Sequence, residues 1–454
     1  MNPKLKDLQS KYPELVYETY SHIWENDILI CRFKFALGEI NLQSEIEFHG
    51  LEASRINADS QLLDQLVFQV GLFEIPTYWK LACSPTVVIE SGSLSEEQVK
   101  FWEKLLLNGM GEFFYVNQIS PITPHLVTRG KSAKKLGVSP LSSDSILIPV
   151  GGGKDSIVTM ELLAKQFSNL TFFTIGDDPA TESIISLFSQ KHQDKLKLHR
   201  VHVVRRLDPQ MSELNRDFFN GHTPFSSVVA MGSILAGSFT GSGVIALSNE
   251  SSANQMTGFY EGLDVNHQYS KTVEFERDFR KYMDSLLTTH PDYFSFLRPL
   301  GELQIAKLFS GMSDYFSVFR SCNVGKRTNT WCGQCAKCLF VYLMLSVYLD
   351  SHILTGIFGQ DLLNDITLLP LMNELLGKTK MKPFECVGTV EECRCAVTSI
   401  LESSGKVEGS VPVLIAAFAD ETNEWKEKLN TSQLRFAETF LPNNFQEILK
   451  HAFA

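Results

Sequence analysis

The sequence predicts an α/β protein built on a parallel, doubly wound sheet, with an α+β domain before it and a mainly helical region after it. Three observations carry that prediction. Short apolar segments at 145–150, 170–176, 197–204 and 243–248 alternate with stretches of helical spacing at 155–167, 181–192 and 224–239, the pattern of parallel strands joined by helical crossovers. A glycine-rich turn, Gly151-Gly152-Gly153, joins the first of these strands to the first helix. Before residue 120 the pattern differs, and apolar and polar residues alternate on either side of Gly38.

Taken in order, Ile28 to Phe35 and Ile40 to Phe48 have the period-2 alternation of a hairpin. Ser60 to Val70 and Ser95 to Asn108 have helical spacing, and Ser93 and Ser95 followed by Glu96-Glu97 form a helix start. Residues 1–120 are therefore expected to form an α+β domain suited to substrate recognition. Pro121, Pro124, Gly130 and the lysines Lys131, Lys134 and Lys135 mark 121–143 as a linker. Residues 144–350 carry the alternating strands and helices, and 351–454 read as helices packed on the sheet domain.

A chain of 454 residues is too long for one ordinary core, and 44% hydrophobic with 20% charged residues describes a folded, soluble protein. No apolar run approaches the ~20 residues that span a bilayer. Met1 to Lys11 is polar and lacks a secretory apolar segment. The net charge of −11 argues against a general nucleic-acid binder. Nine cysteines, four of them grouped, suit metal ligation in a reducing compartment better than a disulfide framework. A cytoplasmic enzyme with a small-molecule substrate and no membrane partner is the expectation; oligomeric state is not legible.

Ligands in parallel sheets sit beyond the C-terminal ends of the strands, so the loop, Gly176-Asp177-Asp178 and Asn249-Glu250 are expected on one rim. The loop is not of the Walker type. Gly151-Gly152-Gly153-Lys154-Asp155-Ser156 resembles instead the S/G-G-G-x-D-S loop of the PP-loop ATP pyrophosphatases, which cut ATP between the α- and β-phosphates and leave AMP on an oxygen of the substrate. That resemblance implies an ATP site. The amides of Gly151, Gly152 and Gly153 would hold the β- and γ-phosphates, with Ser156 as a side-chain donor. Lys154 would offset phosphate charge and Asp155 would hold Mg²⁺.

Cys322, Cys332, Cys335 and Cys338 give C-x9-C-x2-C-x2-C, which can complete a tetrahedral four-thiolate site. Zinc is the first choice and an iron–sulfur cluster the second. A site closed by four thiolates is structural. The same grouping after such a domain resembles 7-cyano-7-deazaguanine synthase. Cys386, Cys393 and Cys395 have poorer spacing and read as ordinary thiols.

Ser248 to Ser252 and Asn266 to Lys271 are dense in polar groups between a core strand and a long helix. His267 or Glu250 could move protons and Lys271 could pair with an anionic substrate; a capped helix start beside a solvated loop is the equal alternative. Arg205, Arg206, Arg298, Arg320, Lys326 and Arg327 are further candidates for anion binding, each singly more in keeping with a surface charge.

Eight runs remain to be taken together: Leu106 to Tyr115, Val150 to Ser156, Ala246 to Glu250, Val265 to Lys271, Phe296 to Leu300, Phe319 to Asn323, Trp331 to Cys338 and Lys382 to Gly388. In this order they resemble the UDP-N-acetylmuramoyl-L-alanyl-L-glutamate epimerase (MurL) family of bacterial peptidoglycan synthesis. The resemblance implies conversion of UDP-MurNAc-L-Ala-L-Glu to its D-Glu epimer through a glutamyl-adenylate, with ATP going to AMP and diphosphate. His267, Glu250 and Lys271 are then the candidate catalytic residues, with Cys322 a further candidate base if it holds no metal. Another PP-loop adenylating enzyme, nitrile-forming or thiolating, and a nucleotide sensor without turnover are the rival readings.

Overall fold

The computed structural model describes residues 2–130, 134–138, 140–404, 411–425 and 439–453. Lys131 of the expected linker lies outside them. A ten-stranded sheet organises the molecule. Across the sheet, its strands run Asp292–Ser295, Ser242–Leu247, Ser142–Pro149, Asn169–Ile175, Lys197–Arg206, Ile40–His49, Ile28–Leu37, Glu14–Glu25, Thr86–Ile89 and His125–Thr128. The first five are parallel, as the alternation of strands and helices predicts. The crossovers include the helices Lys154–Leu163, Pro179–His192 and Phe225–Thr240.

The sheet does not stop there. Ile40–His49 pairs antiparallel with Lys197–Arg206, so the N-terminal strands extend the same sheet, which is mixed rather than wholly parallel. Covering that strand edge removes a row of unpaired backbone groups. Ile28–Leu37 and Ile40–His49 form the expected hairpin. An additional strand, Glu14–Glu25, joins it through Asn26 and Asp27, whose φ values of 52° and 61° suit a tight two-residue turn. Residues 121–143, expected as a linker, contain the edge strand His125–Thr128 and the short strand Leu136–Gly137, which pairs with Leu287–Thr289.

Alternation along each strand divides the core into two layers. Ile146 and Ile148 face one cluster and Leu147 the other; Phe172 and Phe173 divide in the same way. Apolar residues on both faces explain why these strands read as continuous hydrophobic runs. One layer takes in the N-terminal strands and the helix Phe225–Thr240. The other takes in the helix Lys154–Leu163 and the helical C-terminal region, where Phe445 stacks on Phe167 with ring centroids 5.1 Å apart. Among the described residues no helix is long and apolar enough to cross a membrane.

Candidate active site

The strand Ser142–Pro149 ends in the glycine loop, and the helix Lys154–Leu163 starts directly after it. Gly153 caps that helix without a side-chain hydrogen bond, so the positive end of the helix dipole faces the loop. A Cβ at Gly151 would meet nothing within 4 Å, and here the backbone is open to a ligand. At Gly152 a Cβ would lie 2.6 Å from the Arg320 carbonyl oxygen, so only glycine allows that close approach. The Arg320 amide donates to the Gly152 carbonyl at 2.6 Å, tying the cysteine-bearing segment to the loop.

The loop opens on a cavity of about 300 Å³ at the C-terminal ends of the parallel strands. Gly151, Gly152, Gly153, Asp155 and Ser156 line it together with Asp178, Asn249, Glu250, Lys271 and Lys326. Of the rim expected from the sequence, the loop, Asp178, Asn249 and Glu250 line the cavity; Gly176 is not part of the lining, and Asp177 points to solvent and pairs with His202 at 3.3 Å. Lys154 is turned inward instead. Its side chain is 3% exposed, and the ammonium donates to Asp155 at 2.5 Å and to the buried Glu302 at 2.6 Å. Burial opposes that charge, but Asp155 and Glu302 outweigh it and hold the ammonium above its usual range. Burial also pushes the Asp155 carboxyl up, and Lys154, Lys337 and Lys271 reverse the shift, keeping it below the usual carboxylate range. The Ser156 hydroxyl donates back into the loop, to the Gly151 carbonyl at 2.7 Å and the Gly153 carbonyl at 3.1 Å. It shapes the cradle rather than aiming a proton into the cavity.

Lys271 also lines this cavity. Its ammonium lies 3.3 Å from the Cys386 sulfur. Burial works against its charge, but Cys386 and Glu250 raise its pKa above the usual lysine range. Behind it is a second group of ionisable side chains. His267 hydrogen-bonds Cys386, and its Nδ1 lies 2.5 Å from Glu112 Oε2. The His222 ring sits 4.6 Å from the His267 ring, centroid to centroid. Burial opposes the His267 charge, yet the bonds to Cys386 and Glu112 prevail and raise its pKa to about 9. Burial and the neighbouring His267 lower His222 to about 4, so the two rings do not both carry charge near neutrality. Burial alone would raise the Cys386 thiol; Lys271, the His267 hydrogen bond and Lys337 bring it down to about 6. Cys386, read from its spacing as an ordinary thiol, is placed between the Lys271 ammonium and the His267 imidazole. Cys393, by contrast, is fully buried and pushed up by that burial.

A few buried and part-buried contacts hold distant segments together. Arg298 is 2% exposed; it donates to the Glu250 carbonyl at 2.8 Å and the Lys271 carbonyl at 2.5 Å, and pairs with Glu276 at 3.1 Å. It fastens the two polar loops and does not reach the cavity; removing one partner of such a buried pair costs about 3–5 kcal/mol. Arg205 is likewise engaged, by Glu74 at 2.8 Å, and Arg206 by Glu45 and Glu47. The Cys386 segment is anchored on both sides. Lys382 Nζ donates to Gln255 Oε1 at 2.8 Å, Phe384 packs on Tyr115 with centroids 5.4 Å apart, and the Lys337 amide donates to Glu385 at 2.8 Å.

Cys322, Cys332, Cys335 and Cys338 converge beside the loop. Sulfur–sulfur distances are 3.8 Å for Cys322–Cys335, 3.7 Å for Cys332–Cys338 and 3.5 Å for Cys335–Cys338. Four sulfurs at ~2.3 Å from one tetrahedral ion lie roughly 3.8 Å apart, so the donor set fits zinc. With all four in place Cys322 is a member of this group, away from the imidazole cluster.

An α/β protein with a mixed, mostly parallel sheet, a cavity at its strand ends and a group of ionisable side chains behind one cavity wall is the class that fold and site define. Within that class, the chain belongs to the MurL family. It matches the MurL N-terminal domain over residues 7–296 and the MurL C-terminal domain over residues 316–432. It is similar to the UDP-N-acetyl-alpha-D-muramoyl-L-alanyl-L-glutamate epimerase of Xanthomonas oryzae pv. oryzae, 32% identical over 365 residues, 78% of each chain. The protein of the same name from Salinispora tropica is 32% identical over 77% of this chain and 76% of its own. That from a Micromonospora species is 31% identical over 72% of each.

Proposed function

We propose that this protein is an ATP-dependent epimerase that inverts the terminal glutamate of UDP-MurNAc-L-Ala-L-Glu to D-Glu through a glutamyl-adenylate, releasing AMP and diphosphate. Its place is the cytoplasmic stage of peptidoglycan precursor synthesis. One observation carries this reading: an open glycine cradle and a partly buried cluster of ionisable side chains meet across a single lysine, Lys271, in a chain whose relatives are named for that epimerisation.

The glycine loop at a parallel strand end supports a PP-loop fold of the ATP-pyrophosphatase type. The amides of Gly151, Gly152 and Gly153 and the helix N-terminus hold the triphosphate, with Lys326 adding positive charge. Asp155 lines the cavity with its carboxyl kept ionised and is the group to hold Mg²⁺, which when bound offsets phosphate charge. Zinc in the four-cysteine site is structural. It braces the Arg320 contact to the loop and the helix Ala336–Leu345, whose Lys337 amide holds Glu385. One zinc per chain, lost in Cys332→Ser, is the expected elemental analysis; a full complement of zinc in that variant would contradict it.

Adenylation makes physical sense of an ATP site in an epimerase. Proton loss from a glutamyl Cα beside an ionised carboxylate places a carbanion next to an existing negative charge. Converting the carboxylate to an acyl-adenylate removes that charge and provides a carbonyl into which the electron pair delocalises. Each pKa unit gained is worth ~1.4 kcal/mol. Lys271 and Glu250 lie where the pocket meets the cluster, and His267 supplies proton-transfer capacity within it.

Incubation with Mg-ATP and UDP-MurNAc-L-Ala-L-Glu tests the reading. AMP and D-Glu are expected together, and both should fall by ~10²–10³-fold in Asp155→Ala. Glutamate still in the L form with ATP intact would sink it.

A further inference from the structure

We infer that the Cys386 thiolate, paired with the His267 imidazolium, is the base that removes the glutamyl Cα proton, and that Lys271 steadies both this thiolate and the enolate oxygen it generates. The assignment rests on the adenylation proposed above and names the group that completes it.

The geometry singles out this sulfur. Cys386 comes from the C-terminal part of the chain, yet its sulfur lies 3.3 Å from an ammonium that lines the loop cavity. The groups facing it are Lys271, His267 and Lys337, with Glu385 as the neighbouring carboxylate. The groups facing His267 are Glu112, His222 and Cys386, and Lys80 acts on His222 from farther off. Glu112 Oε2, 2.5 Å from His267 Nδ1, fixes the ring and favours its protonated form. A nucleophilic or basic cysteine needs such cationic company, and the order carboxylate, imidazole, thiol supplies it. The shift of the thiol to about 6 agrees with that placement. Glu250 faces differently: it lines the cavity and accepts from Ser252 at 3.3 Å.

In the step itself, the Cα–H bond breaks and an S–H bond forms on Cys386. The C–H electron pair moves into the acyl carbonyl, whose oxygen becomes an enolate beside the Lys271 ammonium. A proton derived from water returns to the opposite face of Cα, and Cys386 later releases its own proton to water. No oxidant or reductant is needed.

The test compares the wild-type protein with Cys386→Ser, supplied with Mg-ATP and UDP-MurNAc-L-Ala-L-Glu in D₂O. AMP release by C386S should stay within a few-fold of wild type, while D-Glu and Cα deuterium fall by ~10²-fold or more. Iodoacetamide treatment of folded wild-type protein should abolish Cα exchange, with alkylation of Cys386 titrating near pH 6. Unimpaired epimerisation by C386S, or by protein alkylated at Cys386, overturns the thiol assignment alone. So does loss of AMP release in parallel with epimerisation, which would make Cys386 part of adenylation. No AMP from the wild-type protein overturns the adenylation and this step with it.

Discussion

The glycine loop and the cluster behind Lys271 are built from different materials. The loop uses backbone: glycines that admit a ligand closely, an uncapped helix N-terminus, and a serine that folds the turn back on itself. The cluster uses side-chain charge in a partly buried setting, where the protonation of His267, Cys386 and Lys271 depends on their charged neighbours. A backbone cradle keeps most of its amides through any single side-chain change. A chain of mutually dependent charges does not, and removing one member resets the rest. Binding and proton transfer should therefore respond differently to mutation, and Lys271 is where the two responses meet.

Lys271→Met is the sharpest way to break the division. Both AMP formation and epimerisation should fall by ~10²-fold, because one ammonium serves both sides. Cys386 alkylation should also shift to higher pH as the thiolate loses its nearest cation. Loss of one activity alone would show that the two regions are not coupled through this residue.

Glu112→Gln should affect only the cluster. AMP formation is expected unchanged, and epimerisation about 10-fold lower. The sign of the pH effect follows from the two shifts. The thiolate–imidazolium pair exists above the Cys386 value of about 6 and below the His267 value of about 9. Epimerisation should rise through the first and decline through the second. Without its carboxylate partner His267 loses its proton at lower pH, so the window closes from the alkaline side. A pH–rate profile of this variant that matches wild type would remove Glu112 from the proton-transfer chain.

Ser156→Ala should have the smallest effect and confine it to the loop. The lost hydroxyl makes turn-internal hydrogen bonds worth about 1 kcal/mol, so AMP formation should fall only a few-fold. A loss as large as that of Asp155→Ala would mean the hydroxyl itself serves the phosphates.

The same contrast explains what the sequence made legible. Gly151 to Ser156 is contiguous, and strand, turn and helix follow one another in register with their physical roles. The rim residues Asp178, Asn249 and Glu250 followed from knowing where parallel strands end. The four cysteines declared themselves by spacing, and their sulfurs do converge. Glu112 and Cys386 lie in runs that carry the family resemblance, yet nothing local to them, or to His222, assigns a role. Glu112 lies in a mostly apolar run, His222 stands alone before a helix, and Cys386 fails the spacing of a metal ligand, the criterion that set it aside. What brings them together is tertiary: the Phe384–Tyr115 contact and the Lys382 and Lys337 anchors. In the fold, the strand Glu14–Glu25 is obscured by a register shift between Tyr17 and Thr19. The antiparallel joint between Ile40–His49 and Lys197–Arg206 pairs distant segments, which periodicity cannot report.

The most direct measurement of the coupling between pocket and cluster is the ATP dependence of hydrogen exchange at the glutamyl Cα. UDP-MurNAc-L-Ala-L-Glu incubated with the protein in D₂O should take up Cα deuterium only when Mg-ATP is present, with AMP appearing alongside. Deuterium uptake at the same rate without ATP would show that the Cα proton is removed from the free carboxylate, and would contradict adenylation as the step that makes it acidic.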